Sequence, residues 1–307
     1  MNLINRREFI GAALTVAAVA SAKPDEPHDT FPKQPRERLA VSTYPFRSVI
    51  AGHHREGGEQ GRPGMSLQDF ARGIPDKFSV HGIEPWSPHF QSTEPDYVRT
   101  LHESFQSAGL RVVNIPVDSE RVRLCGTPED REAGIAAYKK WVDAAVILHS
   151  PGIRIHLPHA PKAEEVQCAV SAFRPLVAYS ASKNIAINIE NDEPEFEQPG
   201  RIVQVIKEVN SPFLHALPDF CNSMLIHDDQ NHNDQAMKML FPLAFNISHV
   251  KDQESDNGKT FRVDVDRIFA IAKSAGYRGY FSMEFEGEGD PYEGTRKLIE
   301  ASLRNLS

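Results

Sequence analysis

Eight short runs rich in valine, isoleucine, leucine and phenylalanine recur along the chain, separated by longer stretches of helical period. They cover residues 39–44, 80–84, 110–115, 152–157, 185–190, 213–217, 245–250 and 280–285. Brief apolar runs of this kind suit strands covered on both faces, and strands joined by helices pair in parallel. The eight units average about 34 residues, near the ~31 that a 250-residue barrel of eight units implies. The pattern predicts a single-domain (β/α)8 TIM barrel over 39–307. A doubly wound open sheet is the competing architecture, but Tyr44-Pro45-Phe46-Arg47-Ser48 after the first run is not a glycine-rich dinucleotide turn. Helix-end signals agree with the segmentation. Thr127 can cap a helix over 128–149 that opens with Pro128, Glu129 and Asp130, and Gly109 and Gly276 stand where helices should stop. The 47–65 segment, rich in glycine, histidine and arginine, is the one long insertion and is expected over the barrel mouth.

Strand C-termini of such a barrel converge on one face, so polar residues that end apolar runs meet there although far apart in sequence. The fifth run ends in Glu190, the sixth leads into Asp219, the seventh carries His249 and the eighth Glu284. Their spacings of 29, 30 and 35 residues are each about one strand–helix unit. Alone, any of the four reads as a helix cap or a satisfied loop residue. In register on consecutive strands, they place three carboxylates and one imidazole around a common point. Such carboxylates repel at low dielectric, and a divalent cation is the simplest counter-charge. An oxygen-rich set with one nitrogen suits manganese, magnesium or cobalt, with zinc and iron as alternatives.

The motifs Glu190-Asn191, Asp219-Phe220-Cys221-Asn222, His249-Val250-Lys251-Asp252 and Met283-Glu284 resemble, in order, the metal-site motifs of the xylose isomerase-like barrel superfamily, in its sugar phosphate isomerase/epimerase branch. The resemblance runs from about Leu39 to Leu306. It implies one divalent ion held by Glu190, Asp219, His249 and Glu284, with Glu190 and Glu284 also the acid–base pair. Asn222 stands where related keto-sugar epimerases carry a histidine, a departure from the tagatose-type pattern. Lys251 matches the sugar phosphate isomerase branch, which does not establish a phosphorylated substrate.

Other residues carry weaker expectations. Glu84 and Trp86 follow the second run and offer a hydrogen bond and an apolar platform for a sugar face, against barrel-rim packing. His156 and His159 leave the fourth run and are candidates for hydroxyls or a leaving oxygen, against core or surface histidines. Asn222 and Lys251 complete the candidate substrate contacts, Lys251 either touching a substrate oxygen or neutralising the carboxylates. His53 and His54 read as surface residues, and Cys221 has no adjacent base that would make it a nucleophile.

Paired arginines, Arg6 and Arg7, precede an apolar stretch over 9–20 that is too short to span a bilayer and ends in Ala20-Ser21-Ala22. The segment looks like a twin-arginine signal peptide over 1–22, which implies export through that machinery to the periplasm. Residues 23–38, with four prolines, read as a linker. Cleavage would remove two arginines and one glutamate from 34 basic and 42 acidic residues, taking the charge from −8 to −9. That sign opposes a nucleic-acid partner, and a nuclease of the endonuclease-type branch would resemble a site with many more histidines. No other stretch is apolar for long enough to be an integral membrane span. Three cysteines, widely spaced, suggest no disulfide framework, so stability is expected from the core.

The expected function is a divalent-metal-dependent isomerase or epimerase of a sugar or polyol, moving a proton between carboxylates and an enediolate. The same parts serve two alternatives: a lyase that eliminates beta to the carbonyl of an oxidised glycoside, and a non-catalytic carbohydrate-binding barrel.

Overall fold

Every apolar run becomes barrel wall. In chain order the strands are β1 (Leu39–Ser42), β2 (Gly82–Glu84), β3 (Arg111–Val112), β4 (Pro116–Val117), β5 (Gly152–Ile155), β6 (Ala186–Glu190), β7 (Leu214–Leu217), β8 (Ile247–Val250), a hairpin of β9 (Gln253–Asp256) and β10 (Lys259–Arg262), and β11 (Tyr280–Met283). The computed structural model describes residues 26–52, 63–118, 123–160 and 164–307. The signal-peptide segment 1–22 and the insertion residues His53 and His54 lie outside the described residues.

All pairings in the wall are parallel. β3 and β4 are two halves of one wall strand: Arg111 pairs with Gly82 of β2, and Pro116 pairs with Arg154 of β5. β11 lies between β8 and β1, and the bridges Ala216 to Ala244 and Asp219 to His249 join β7 to β8. The ring is therefore a closed single-domain TIM barrel, which excludes the open-sheet alternative. Nine α-helices among the described residues surround it: α1 (Leu67–Arg72), α2 (Ile74–Phe78), α3 (Pro95–Ser107), α4 (Pro128–Leu148), α5 (Glu165–Ala181), α6 (Pro199–Val209), α7 (Gln230–Leu240), α8 (Val265–Ser274) and α9 (Pro291–Leu306).

Local chemistry sets the helix ends. Thr127 and Asp130 form a reciprocal capping box at the start of α4. Gly109 and Gly276 follow α3 and α8 with φ of +68° and +74°, a region that suits glycine.

Strand alternation then separates two interiors. On β6, Ile187 and Ile189 join the large apolar cluster shared with the helices, while Asn188 and Glu190 bond to polar partners inside the ring. A small apolar plug of Ala40, Val113, Leu217, Ile247 and Tyr280 fills the floor.

Three features differ from the sequence reading. The described part of the linker is not a free tether: Phe31 packs edge-on against Phe245 and Tyr280, and Arg38 donates to the carbonyls of Tyr277 and Gly279 at 2.9–3.2 Å. His28 adds a reciprocal pair of hydrogen bonds with Asn184, at 3.0 and 3.1 Å. The β9/β10 hairpin has no counterpart among the apolar runs, because its strands are polar, although Asn257-Gly258 at its tip is a hairpin-turn signal. Finally, Cys125 and Cys168 form a disulfide across a separation of 43 residues, leaving Cys221 as a buried free thiol. Barrel closure sets the loop before α4 beside the first turn of α5, a neighbourhood that spacing along the chain does not reveal.

Candidate metal centre

Glu190, Asp219, His249 and Glu284 leave four consecutive wall strands at one end of the barrel. Each offers a ligand atom within 4.8 Å of the other three, and all four side chains are buried. His249 sits at the centre: its Nδ1 lies 2.6 Å from Glu190 Oε1 and 3.1 Å from Glu284 Oε2.

Asp219 shows most clearly that the set fits a cation. Its Oδ1 accepts from the backbone N–H groups of Cys221 and Asn222 at 2.8 Å, and Asn191 Oδ1 accepts from the Asp219 backbone N–H at 2.8 Å. Its Oδ2 is fully buried without a hydrogen-bond donor, and the nearest ammonium, Lys251, is 3.7 Å away. A carboxylate oxygen held open in this way is costly unless a cation meets it. Burial pushes the Asp219 carboxyl up to about 8; Lys251 opposes the shift, and the Glu190 and Glu284 charges reinforce it. Burial also raises Glu284, but His249 and Lys251 outweigh it and hold this carboxyl well below the ordinary range. Three carboxylates and one imidazole suit a hard or borderline divalent ion.

Lys251 is almost sealed. Its Nζ donates to Asn222 Oδ1 at 3.0 Å, Glu254 at 3.1 Å and Glu286 at 2.5 Å, and lies 3.3 Å from Glu284. Lys251 and Asn222 thus bond to each other, and Lys251 also to carboxylates around the centre, an arrangement in which its charge faces theirs.

A second polar cluster adjoins the first, and sequence reasoning found only His156 in it. Arg154, itself buried, pairs with Asp118 at 2.5 Å and with Glu190 Oε2 at 3.0 Å. His156 Nδ1 is 3.1 Å from Glu197 Oε2, and its Nε2 is 3.1 Å from Asp118 Oδ1. Burial disfavours the imidazolium, yet Glu197 and Asp118 hold His156 well above the ordinary imidazole range. Asp192 is raised to about 7, by burial first and then by Glu190. His156, Asp192 and Glu197 also bring ligand atoms within 4.8 Å of one another, but the Arg154 guanidinium already supplies positive charge there. The missed signal was alternation: Gly152, Arg154 and His156 share one face of a strand whose other face is Ile153 and Ile155.

The remaining expected residues scatter. Trp86 is half-buried at the mouth, donates Nε1–H to Asp118, and meets Tyr44 edge-on at 4.9 Å. His159 is exposed, bound to Glu193 at 2.6 Å and stacked on Phe196, and makes no pair with His156. Glu84 departs from expectation. It is fully buried, its carboxylate facing His249 Nε2 and Asn114, so it presents no surface to a sugar. A further concavity of about 450 Å³, lined by His102, Arg111, His149 and Lys183 among others, contains none of the four converging residues.

A closed β/α barrel whose strand ends gather three carboxylates and an imidazole defines the class: a TIM-barrel protein with the donor set of a divalent-cation centre. The sequence model of the xylose isomerase-like TIM barrel family matches residues 77–306, and the chain belongs to that family. No curated protein matches the sequence. Among solved structures it is similar to a xylose isomerase-like TIM barrel protein from Mycobacterium smegmatis in complex with magnesium, at 17% identity and a TM-score of 0.67, over 91% of this chain and 98% of that one. D-psicose 3-epimerase from Clostridium cellulolyticum, solved with D-tagatose, is similar at 12% identity and a TM-score of 0.63, over 87% and 96% of the two chains. A probable 3-DHS dehydratase from Bacillus anthracis is similar at 16% identity and a TM-score of 0.62, over 85% and 97%. At these identities the likeness is one of fold.

Proposed function

We propose that the protein is a divalent-metal-dependent isomerase or epimerase of a sugar or related polyol, in which Glu190 and Glu284 move the proton. The observation that carries this reading is the convergence of Glu190, Asp219, His249 and Glu284 within 4.8 Å at one end of the barrel. An ion held by these four would polarise a substrate carbonyl and gather the adjacent hydroxyl, with manganese, magnesium or cobalt the best match to the donors.

The protein's own groups supply the rest. Glu284 Oε2 lies 3.1 Å from His249 Nδ1 and 3.3 Å from Lys251 Nζ, and its carboxylate is the candidate to accept a proton from the carbon beside the carbonyl. Glu190 reaches the same centre from β6, three strands away from β11 around the ring, and is the candidate to return a proton to the resulting enediolate. Arg154 pairs electrostatically with Glu190 Oε2 at 3.0 Å, which favours turning that oxygen toward the guanidinium. Trp86, half-buried at the mouth and met edge-to-face by Tyr44, is the candidate apolar surface for the C–H side of a sugar.

His156 favours the second reading, elimination from an oxidised glycoside. His156 lies between Asp118 and Glu197, with Arg154 Nη1 2.6 Å from its Nε2, and is partly open to the mouth, a position from which it can pass a proton to a departing oxygen, which isomerisation does not require. Export through the twin-arginine route belongs to the same proposal. Arg6 and Arg7 before the apolar stretch support it, and so does the Cys125–Cys168 disulfide, because such bonds persist in oxidising compartments.

The test is incubation of manganese- or cobalt-loaded protein with neutral keto-sugars and 3-keto-glycosides in D2O, followed by NMR. Deuterium at the carbon beside the carbonyl, with an epimer or isomer formed, supports the first reading. Release of the aglycone supports elimination. Sugar binding without exchange or release across the panel leaves the silent binder and overturns both.

A further inference from the structure

The barrel interior directly beneath the metal centre is polar. Four asparagine and glutamate side chains from different strands form one directional hydrogen-bonded column there. Asn246, just before β8, donates from Nδ2 to the Val113 carbonyl at 2.9 Å and accepts at Oδ1 from Asn188 Nδ2 at 3.0 Å. The same Asn188 amide donates to Asn114 Oδ1 at 3.2 Å, which leaves Asn114 Nδ2 to donate to Glu84 Oε1 at 2.9 Å. Both Glu84 oxygens lie 3.0 Å from His249 Nε2. Every donor meets an acceptor in this order, and all five side chains are buried.

We infer that Glu84 and Asn114 are positioning residues for the metal centre: they commit His249 Nε2–H to Glu84, so that Nδ1 alone is presented to the ion. This rests on the metal-centre reading above. Nδ1 is the nitrogen that faces Glu190 and Glu284, at 2.6 and 3.1 Å, so the ring is already turned correctly. A ligating histidine whose other N–H is held by a carboxylate is fixed in tautomer and orientation and gains basicity. Glu84 is fully buried and turns both carboxylate oxygens toward His249 Nε2, with Asn114 Nδ2 donating to Oε1, so its acceptors are spent on the His249 ring and on the column beneath it. Asn188 and Asn246 hold the Asn114 amide with its N–H toward Glu84, and in the opposite flip two acceptors would face each other.

The experiment uses full-length, metal-stripped protein titrated with Co2+ alone, read by the visible absorption of the bound ion. Thermal melting of the metal-free protein is measured alongside. Glu84→Gln is expected to weaken Co2+ binding by the 10- to 100-fold typical of groups that orient metal ligands, with the metal-free melting temperature unchanged. Asn114→Ala should weaken it in the same direction, and Glu84→Asp should recover part of the loss. Should Glu84→Gln not fold, Asn114→Ala carries the test through the same column. Unchanged Co2+ affinity in a folded Glu84→Gln or Asn114→Ala protein overturns the relay. His249→Ala separates the two levels: if wild-type protein binds no Co2+, or His249→Ala binds it equally well, the metal-centre reading itself fails.

Discussion

Replacing Cys125 and Cys168 by serine removes a cross-link that closes a loop of 43 residues, from just before α4 to the first turn of α5. In the chain-entropy account, closing a loop of that length withdraws about 13 cal/mol/K from the unfolded ensemble, or about 4 kcal/mol at 25 °C. For a barrel of about 270 residues the unfolding entropy near the midpoint is about 0.6 kcal/mol/K, so the double variant should melt about 7 °C lower. The folded side changes little, because the loss lies in the unfolded chain rather than in the core. The assay pairs calorimetry with thiol titration in denaturant: wild-type protein recovered from an oxidising compartment should show one thiol, that of Cys221, and three after reduction. Three thiols before reduction, or equal melting temperatures for wild type and Cys125→Ser/Cys168→Ser, would refute the reasoning.

Arg154→Met strips the partner from Asp118 and Glu190 while keeping most of the side-chain volume. Breaking a buried pair in this way costs about 3–5 kcal/mol, read as a lowered denaturation midpoint, and added Asp118→Asn should recover part of it. His215 is stacked on Phe245, and burial lowers its pKa to about 4. The unfolded chain, with an ordinary imidazole near 6.5, therefore binds more protons between pH 6.5 and 4, so stability is lost as pH is lowered from 6.5 to 4, by about 3 kcal/mol in all. Urea titrations of His215→Gln should lose that slope, and an unchanged slope would assign it elsewhere. Arg6→Lys with Arg7→Lys should keep the protein in the cytoplasm, seen by fractionation, and undiminished periplasmic yield would count against the twin-arginine assignment.

The four converging residues were legible because their spacing repeats the strand–helix unit that the apolar runs already display. Helix α4 was legible for a similar reason, since Thr127, Pro128 and Asp130 form a local signal needing no tertiary partner. What escaped depends on contacts between units. Arg154, Asn114 and Asn188 break apolar strands, but their partners Asp118, Glu84 and Asn246 come from other strands and loops, and only barrel closure brings them together. Glu84 ends a strand, a position that suits a substrate contact and equally allows a side chain to turn under His249. The Cys125–Cys168 pairing and the docking of Phe31 are likewise consequences of closure.

Glu284 has two roles in the proposed chemistry, ligation and proton transfer, and Glu284→Gln separates them by keeping a ligating oxygen while removing charge and basicity. The decisive measurement is the rate at which metal-loaded Glu284→Gln incorporates solvent deuterium into a keto-sugar that wild type exchanges, with metal content determined in the same sample. The account predicts a fall of at least the ~10²-fold typical of general acid–base loss while the ion is retained. Wild-type exchange rates in a fully metal-loaded Glu284→Gln protein would contradict it.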